Sequence, residues 1–323
     1  MREKLTKVAI AALVRPKGGQ TVNQLIGAAQ QGFVYAVLAL GVYIAFRILN
    51  TPDLTVDGSF TLGMAVSAVL TASGHPFAGL AAAIVCGMLA GAVTGLLQTK
   101  AGIYPILAGI LVMSGLYSVN MFVMGGTPNI SLPKTLFKVA YGIFPGITKE
   151  GRDLVAVGIS FLIAALSVTF VIWFFKTHIG LCVRATGNNE DMVRSSSINA
   201  SNVKVLALAL ANGLVALSGA MVSQLQGFAD VNAGIGMLVV GIASVIIGEV
   251  ILGKRGVTVG LLSCILGSFI YRLILAFAFR TNFFPPYALK LVAAVIVGTA
   301  LAIPHIRKGI ARSLRKREGT RGA

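Results

Sequence analysis

The chain has 323 residues, of which 56% are hydrophobic and only 11% charged, with a mean hydropathy of +0.87. A soluble domain carries about 25% charged residues, so this composition excludes a water-soluble enzyme or binding module and requires an integral membrane protein. The net charge of +17 is spread along the chain without interleaved aromatics, which argues against nucleic-acid binding and for charges that set topology.

Residues 1–19 form a basic N-terminal segment with Arg2, Lys4, Lys7, Arg15 and Lys17. Its apolar run, Val8 to Val14, is too short to span a bilayer. Arg15, Pro16 and Lys17 stand where a signal peptide would place small residues, so the segment reads as an interfacial helix. Residues 20–304 then read as one transmembrane domain, and 305–323 as a basic tail.

Nine apolar segments follow, near 24–46, 59–73, 77–98, 104–124, 154–175, 204–225, 235–252, 257–278 and 287–303. The second is short and reads as broken or tilted. The tail carries Arg307, Lys308, Arg312, Arg315, Lys316, Arg317 and Arg321 against Glu318, and is expected in the cytoplasm. Counting back places Lys254, Arg255, the 176–203 loop, Lys100 and Arg47 inside, and the 125–153 loop outside. The N-terminus then falls outside despite its cations. Either it is outside, or 59–73 does not cross.

The fold expected is an all-α polytopic membrane protein, with two groups of four segments around a central helix, 154–175. One group starts outside and the other inside, an inverted-topology arrangement. A faint echo accompanies it: Asp53 precedes Gly63 as Asp230 precedes Gly241.

Polar residues within membrane segments are costly and are functional candidates. Gln30, Gln31, Ser114, Asn120 and Asn212 are either interhelical hydrogen-bonding groups or lining of a substrate pathway, with Tyr117 beside Asn120 offering an aromatic face. Arg272 is expected to snorkel to the outer interface. Asp53 and Asp57 flank a non-helical stretch opened by Pro52, with Asp57 or Ser59 as a local helix cap, or with the two acids in an ion or gate role. Glu249 is placed for an interfacial ion pair with Lys254 or Arg255. Gly87, Gly91 and Gly95 lie four apart on one helix face and would admit a close neighbour.

Enzyme signatures are missing from the sequence. Gly248 to Arg255 lacks the Ser or Thr of a P-loop and follows an apolar segment, so ATP is not expected to bind this chain. His75, His178 and His305 are isolated, Cys86, Cys182 and Cys264 are scattered, and neither a metal site nor a disulfide framework is expected.

The polar island 176–203 lies between two apolar segments, so it must meet water or another protein. Asn188 or Asn189 can cap a short helix with Glu190 and Asp191 in its first turn. Met192, Val193 and Ile198 give that helix an apolar edge.

This island resembles the coupling loop of the branched-chain amino acid and simple-sugar permease family, the membrane subunits of ABC importers. The residues that carry the likeness are Gly180, Arg184, Ala185, Thr186, Gly187, Asn188, Ser197, Ile198, Asn199 and Lys204, followed by Gly219 and Ala220. Asn50 to Ser59 is similar to the segment after that family's first conserved helix. The resemblance spans about 22–304. It implies a multi-pass protein of a bacterial cytoplasmic membrane, paired as a homodimer, with a separate ATPase dimer inside and a substrate-binding protein or lipoprotein outside. Arg184, Asn188, Asn189, Glu190, Asp191, Met192, Val193, Arg194 and Ile198 would then face the ATPase. The form of Thr55 to Ser59 points to the amino-acid-linked branch, with sugars and nucleosides open. The rival expectation is an ion-coupled secondary transporter or channel, against which stands the scarcity of acids in the apolar segments.

Overall fold

The computed structural model describes residues 18–142, 148–253 and 256–280, and in addition 294, 295 and 298. Most of the basic N-terminal segment, Lys254 and Arg255, most of the ninth segment and the tail lie outside the described residues.

Among the described residues the architecture is all-helical apart from one short strand pair. Helix α1 (Gly18–Tyr43) continues into a π-helical turn (Ile44–Ile48). Next come α2 (Thr55–Ala72), α3 (Pro76–Thr99) and α4 (Pro105–Val123), then strand β1 (Asn129–Ser131) and the short α5 (Leu136–Gly142). Helix α6 (Lys149–Lys176) leads to two short helices, α7 (His178–Asn188) and α8 (Glu190–Ser195). The last elements are α9 (Ala200–Gln226), strand β2 (Phe228–Asp230), α10 (Met237–Leu252) and α11 (Val257–Arg280).

Seven of these helices are long and apolar enough to cross a membrane, and α10 is a shorter apolar helix of 16 residues. Eight of the nine expected segments therefore coincide with a helix. The second is longer than its apolar run suggested. It starts at Thr55, so its 18 residues reach about 27 Å at 1.5 Å per residue, close to a hydrocarbon core of about 30 Å. The polar first turn hid this start, because Asp57 is used inside the protein and not at a membrane surface.

The spatial centre also differs from the expected one. Segment 154–175 separates the two groups in sequence, but α6 is only 33% buried over its apolar window, whereas α2 and α9 are each 78% buried. Helix α9 packs on α3 and α2, and α11 packs on α1 and α10. The third helix of each group thus lies against the first helix of the other. Close backbone approach also brings α2 against α9. A Cβ on Gly63 would collide with the Ala216 carbonyl, and one on Gly219 with the Phe60 carbonyl.

At one end, β1 and β2 pair antiparallel with Asn129 opposite Asp230 and Ser131 opposite Phe228. The buried amide of Gln224 sits beneath them, accepting the Leu136 N–H at 2.9 Å and donating to Ser67 at 3.0 Å and to Thr71. At the opposite end lie α7 and α8. Three successive N-caps cut this region into short helices: Thr177 accepts from Gly180 N–H, Asn189 from Met192 N–H and Asn199 from Asn202 N–H. Of the two asparagines that could cap α8, Asn189 does so.

Candidate functional site

Two acids at the start of α2 are placed differently. Asp53 is fully buried; it accepts the Thr55 N–H at 2.9 Å and the Asn212 side-chain amide at 2.7 Å. Asp57 reaches across to another helix. Its carboxylate accepts Gly236 N–H at 2.9 Å and Leu238 N–H at 2.8 Å, capping the N-terminus of α10. The first turn of α2 and the first turn of α10 therefore meet, and a carboxylate lies between their positive ends. Thr61, one turn along α2, accepts Gly234 N–H at 3.1 Å and extends the contact. Neither Asp57 nor Ser59 makes the expected local cap, and the hydrogen bond at the start of α2 comes from Asp53.

A cavity of about 400 Å³ opens beside this meeting point, at the small end of ligand-sized sites. Asp57, Gly58 and Thr61 line it from α2; Met113, Ser114, Tyr117 and Asn120 from α4; Val231 and Ile235 from the stretch before α10. Asn120 is only 1% exposed; its amide donates to the Gly58 carbonyl at 3.3 Å, and its Oδ1 has no hydrogen-bond partner.

The candidate pathway residues thus separate. Ser114, Tyr117 and Asn120 share this cavity. Gln30 lines another, of about 410 Å³, with Lys138, Tyr141, Asp153 and Gln226 at the strand end. Gln31 accepts from Arg272 at 3.2 Å, and that guanidinium lies 3.4 Å from the centre of the Tyr35 ring. Arg272 is thus held against α1. Asn212 lines neither cavity, because its amide is spent on Asp53 and on the Leu208 carbonyl. Thr61, Val231 and Ile235 were missed, and Asp57 was singled out but read chiefly as a local cap. The legible signal was the pairing of an Asp with a short helix start in each half.

Gly87, Gly91 and Gly95 face α9, meeting Ala216, Leu208 and Val205 in turn. Near the α7 end, Arg47 of the π-helical turn is ion-paired with Glu249; Lys254 and Arg255, the partners expected from the sequence, lie outside the described residues.

The α7–α8 region is wedged under the helices. A Cβ on Gly187 would collide with the Ile48 carbonyl, and one on Gly180 with the Phe174 carbonyl. Arg184, Asn188, Asn189, Asp191, Met192 and Arg194 are exposed, and Ile198 is half-buried. Val193 is 1% exposed, buried against the rest of the chain, so it is not part of an outward apolar edge. Glu190 is also engaged within the chain, accepting from Arg194 at 2.8 Å and from Lys204 on α9. Burial works against its ionisation, yet the bonds from Lys204 and Arg194 win and hold its carboxyl below the usual range.

Residues 24–302 match the family described as "Branched-chain amino acid transport system / permease component". The chain belongs to this family. It is 37% identical over 291 residues to a tyrosine transport system permease protein of Clostridioides difficile, covering 88% of this chain and 92% of that protein. An uncharacterized protein of Rickettsia prowazekii is 33% identical over 285 residues, covering 87% and 98%. The ribose import permease protein of Escherichia coli K12 is 30% identical over 263 residues, covering 80% and 79%. The permease is therefore a multi-pass membrane transport component of an ABC-type importer, which works with an ATPase and a substrate-binding protein.

Proposed function

We propose that this permease forms the translocation pathway of an ABC importer for an amino acid in a bacterial cytoplasmic membrane, as one half of a homodimer. The 37% identity to a tyrosine transport permease over nearly the whole of both chains carries the choice of substrate class. The reciprocal packing of α3 on α9 and of α11 on α1 supports an inverted-repeat core. So do two matching turns: Asp53 accepts Thr55 N–H at 2.9 Å, and Asp230 accepts Asn232 N–H at 2.8 Å.

In this reading α7 and α8 receive the ATPase. Asp191 and Met192 are the exposed contact, while Glu190 and Val193 hold α8 to the membrane domain. Motion of α7 passes through Gly187 to Ile48 and Leu49, the end of α1, and from there to Asp53 and α2. ATP binds the partner ATPase and not this chain. The exposed polar face of α4, with Ser114, Tyr117 and Ser118, faces the second copy across the pathway. Closure and opening reorient the helices only if ATP-bound and ATP-free forms of the partner bind the two states unequally.

The test is a double variant, Asp191→Lys with Met192→Ser, in the complex with its ATPase and binding protein. Uncoupled ATP hydrolysis or lost ATPase association is expected, with normal membrane insertion. Unchanged transport and ATPase stimulation would contradict the assignment of α8.

A further inference from the structure

We propose that the cavity between α2, α4 and the start of α10 binds the protonated amino group of the substrate, with Asp57 and Asn120 as its acceptors. This deepens the amino-acid reading above and rests on it. The lining holds no Lys, Arg or His. Helix N-termini normally favour anions. Here the Gly236 and Leu238 N–H groups at the start of α10 are already taken by Asp57. A carboxylate ligand would find that place filled and would be repelled by its occupant. An ammonium would find the opposite. The Gly236 and Leu238 N–H groups each take one Asp57 oxygen and the Met237 N–H adds to them, and a carboxylate with about four lone-pair sites still has room for a further donor.

The second acceptor is independent of the first. Asn120 Nδ2 is fixed on the Gly58 carbonyl, so the amide is oriented, and its Oδ1 is left without a partner in a residue that is almost wholly buried. A buried, oriented, unpaired acceptor beside a carboxylate fits a donor-only group such as –NH3+. Ser114 adds an exposed hydroxyl, and Met113, Tyr117, Val231 and Ile235 supply an apolar and aromatic surface for the rest of the ligand. The class of ligand is a primary amine attached to an apolar or aromatic body, with its carboxylate turned away from Asp57 towards the open side.

The experiment uses the full complex, with Cys86, Cys182 and Cys264 replaced by alanine and Ser114→Cys as the reporter. The rate of maleimide modification is measured with L-tyrosine, with tyramine, which keeps the amine and lacks the carboxylate, and with 3-(4-hydroxyphenyl)propionate, which keeps the carboxylate and lacks the amine. Both amines are expected to slow modification several-fold, and the deaminated acid to have no effect. Asn120→Asp is expected to strengthen protection by tyramine, and Asn120→Leu to remove it; a purely structural asparagine would give loss in both. Equal protection by the deaminated acid, or weaker protection by tyramine in Asn120→Asp, overturns the proposal. ATP-driven amino-acid uptake without any protection by amines overturns this site alone. Absence of ATP-driven amino-acid uptake in the parent complex overturns the functional reading beneath it.

Discussion

The carboxylate of Asp57 accepts the backbone N–H of Leu238 at 2.8 Å, joining two helix starts that are 181 residues apart in sequence. Unpaired N–H groups at a buried helix start are costly, and here the partner comes from the other half of the chain. Hydrogen bonds to a charged acceptor contribute about 1.5–3 kcal/mol each. Asp57→Ala is expected to lower thermal stability in detergent by about that amount, with Asp57→Asn intermediate. A melting curve for Asp57→Ala matching the parent would show that the cap carries no stability.

That contact also shows where the sequence was legible and where it was not. Apolar run length identified eight of the described helices that pack the membrane domain, because a bilayer requires such runs and little else produces them. The α2 start was missed because Thr55 and Asp57 interrupt the run, and what satisfies them is remote in sequence: Thr94 on α3 for Thr55, and the Gly236 and Leu238 N–H groups for Asp57. Gly87, Gly91 and Gly95 could be read as one face from their spacing, but not their neighbour α9. Glu190 read as an outward charge because Lys204, its partner, is on a different helix. Asn120 and Asn212 looked equivalent in sequence; only packing shows that one meets a cavity and the other a buried carboxylate.

The glycine face gives a packing prediction. A Cβ on Gly91 would lie 2.7 Å from the Leu208 carbonyl carbon and 2.8 Å from the Asn212 Cβ. Gly91→Ala already requires α3 to move, and Gly91→Leu is expected to lose most folded protein. Overpacking costs about 1–3 kcal/mol where side chains can yield, and here the obstacle is partly backbone. Size-exclusion profiles and melting temperatures check the order Gly, Ala, Leu.

Asn212 gives a polar counterpart. Asn212→Leu leaves one Asp53 oxygen buried without its 2.7 Å donor. Removing a donor from a buried acceptor costs about 1–3 kcal/mol, and more when the acceptor is charged. The double variant Asp53→Asn with Asn212→Leu is expected to recover part of the loss, because the charge is then gone. A double-mutant cycle on thermal stability measures the coupling.

Glu190 gives a pH prediction. Its carboxyl is held below the usual range, so its stabilising effect is present above the ordinary carboxylate pKa and lost as pH falls through the depressed value. At neutral pH, Glu190→Gln is expected to loosen α8 from α9. Val193→Cys would then react faster with a water-soluble maleimide in the Glu190→Gln background than in the Glu190 background at the same neutral pH. An unchanged rate in Glu190→Gln would mean that the bond to Lys204 does not hold α8.

The account's central claim is that ATP hydrolysis by a partner drives an amino acid through this chain. The direct measurement is uptake of labelled L-tyrosine into proteoliposomes containing the permease, its ATPase and its binding protein, with ATP supplied or withheld and with ionophores collapsing proton and sodium gradients. The account predicts uptake that requires hydrolysable ATP and persists when the gradients are gone. Uptake that proceeds without ATP and stops when the gradients collapse would contradict it and would make the protein an ion-coupled carrier.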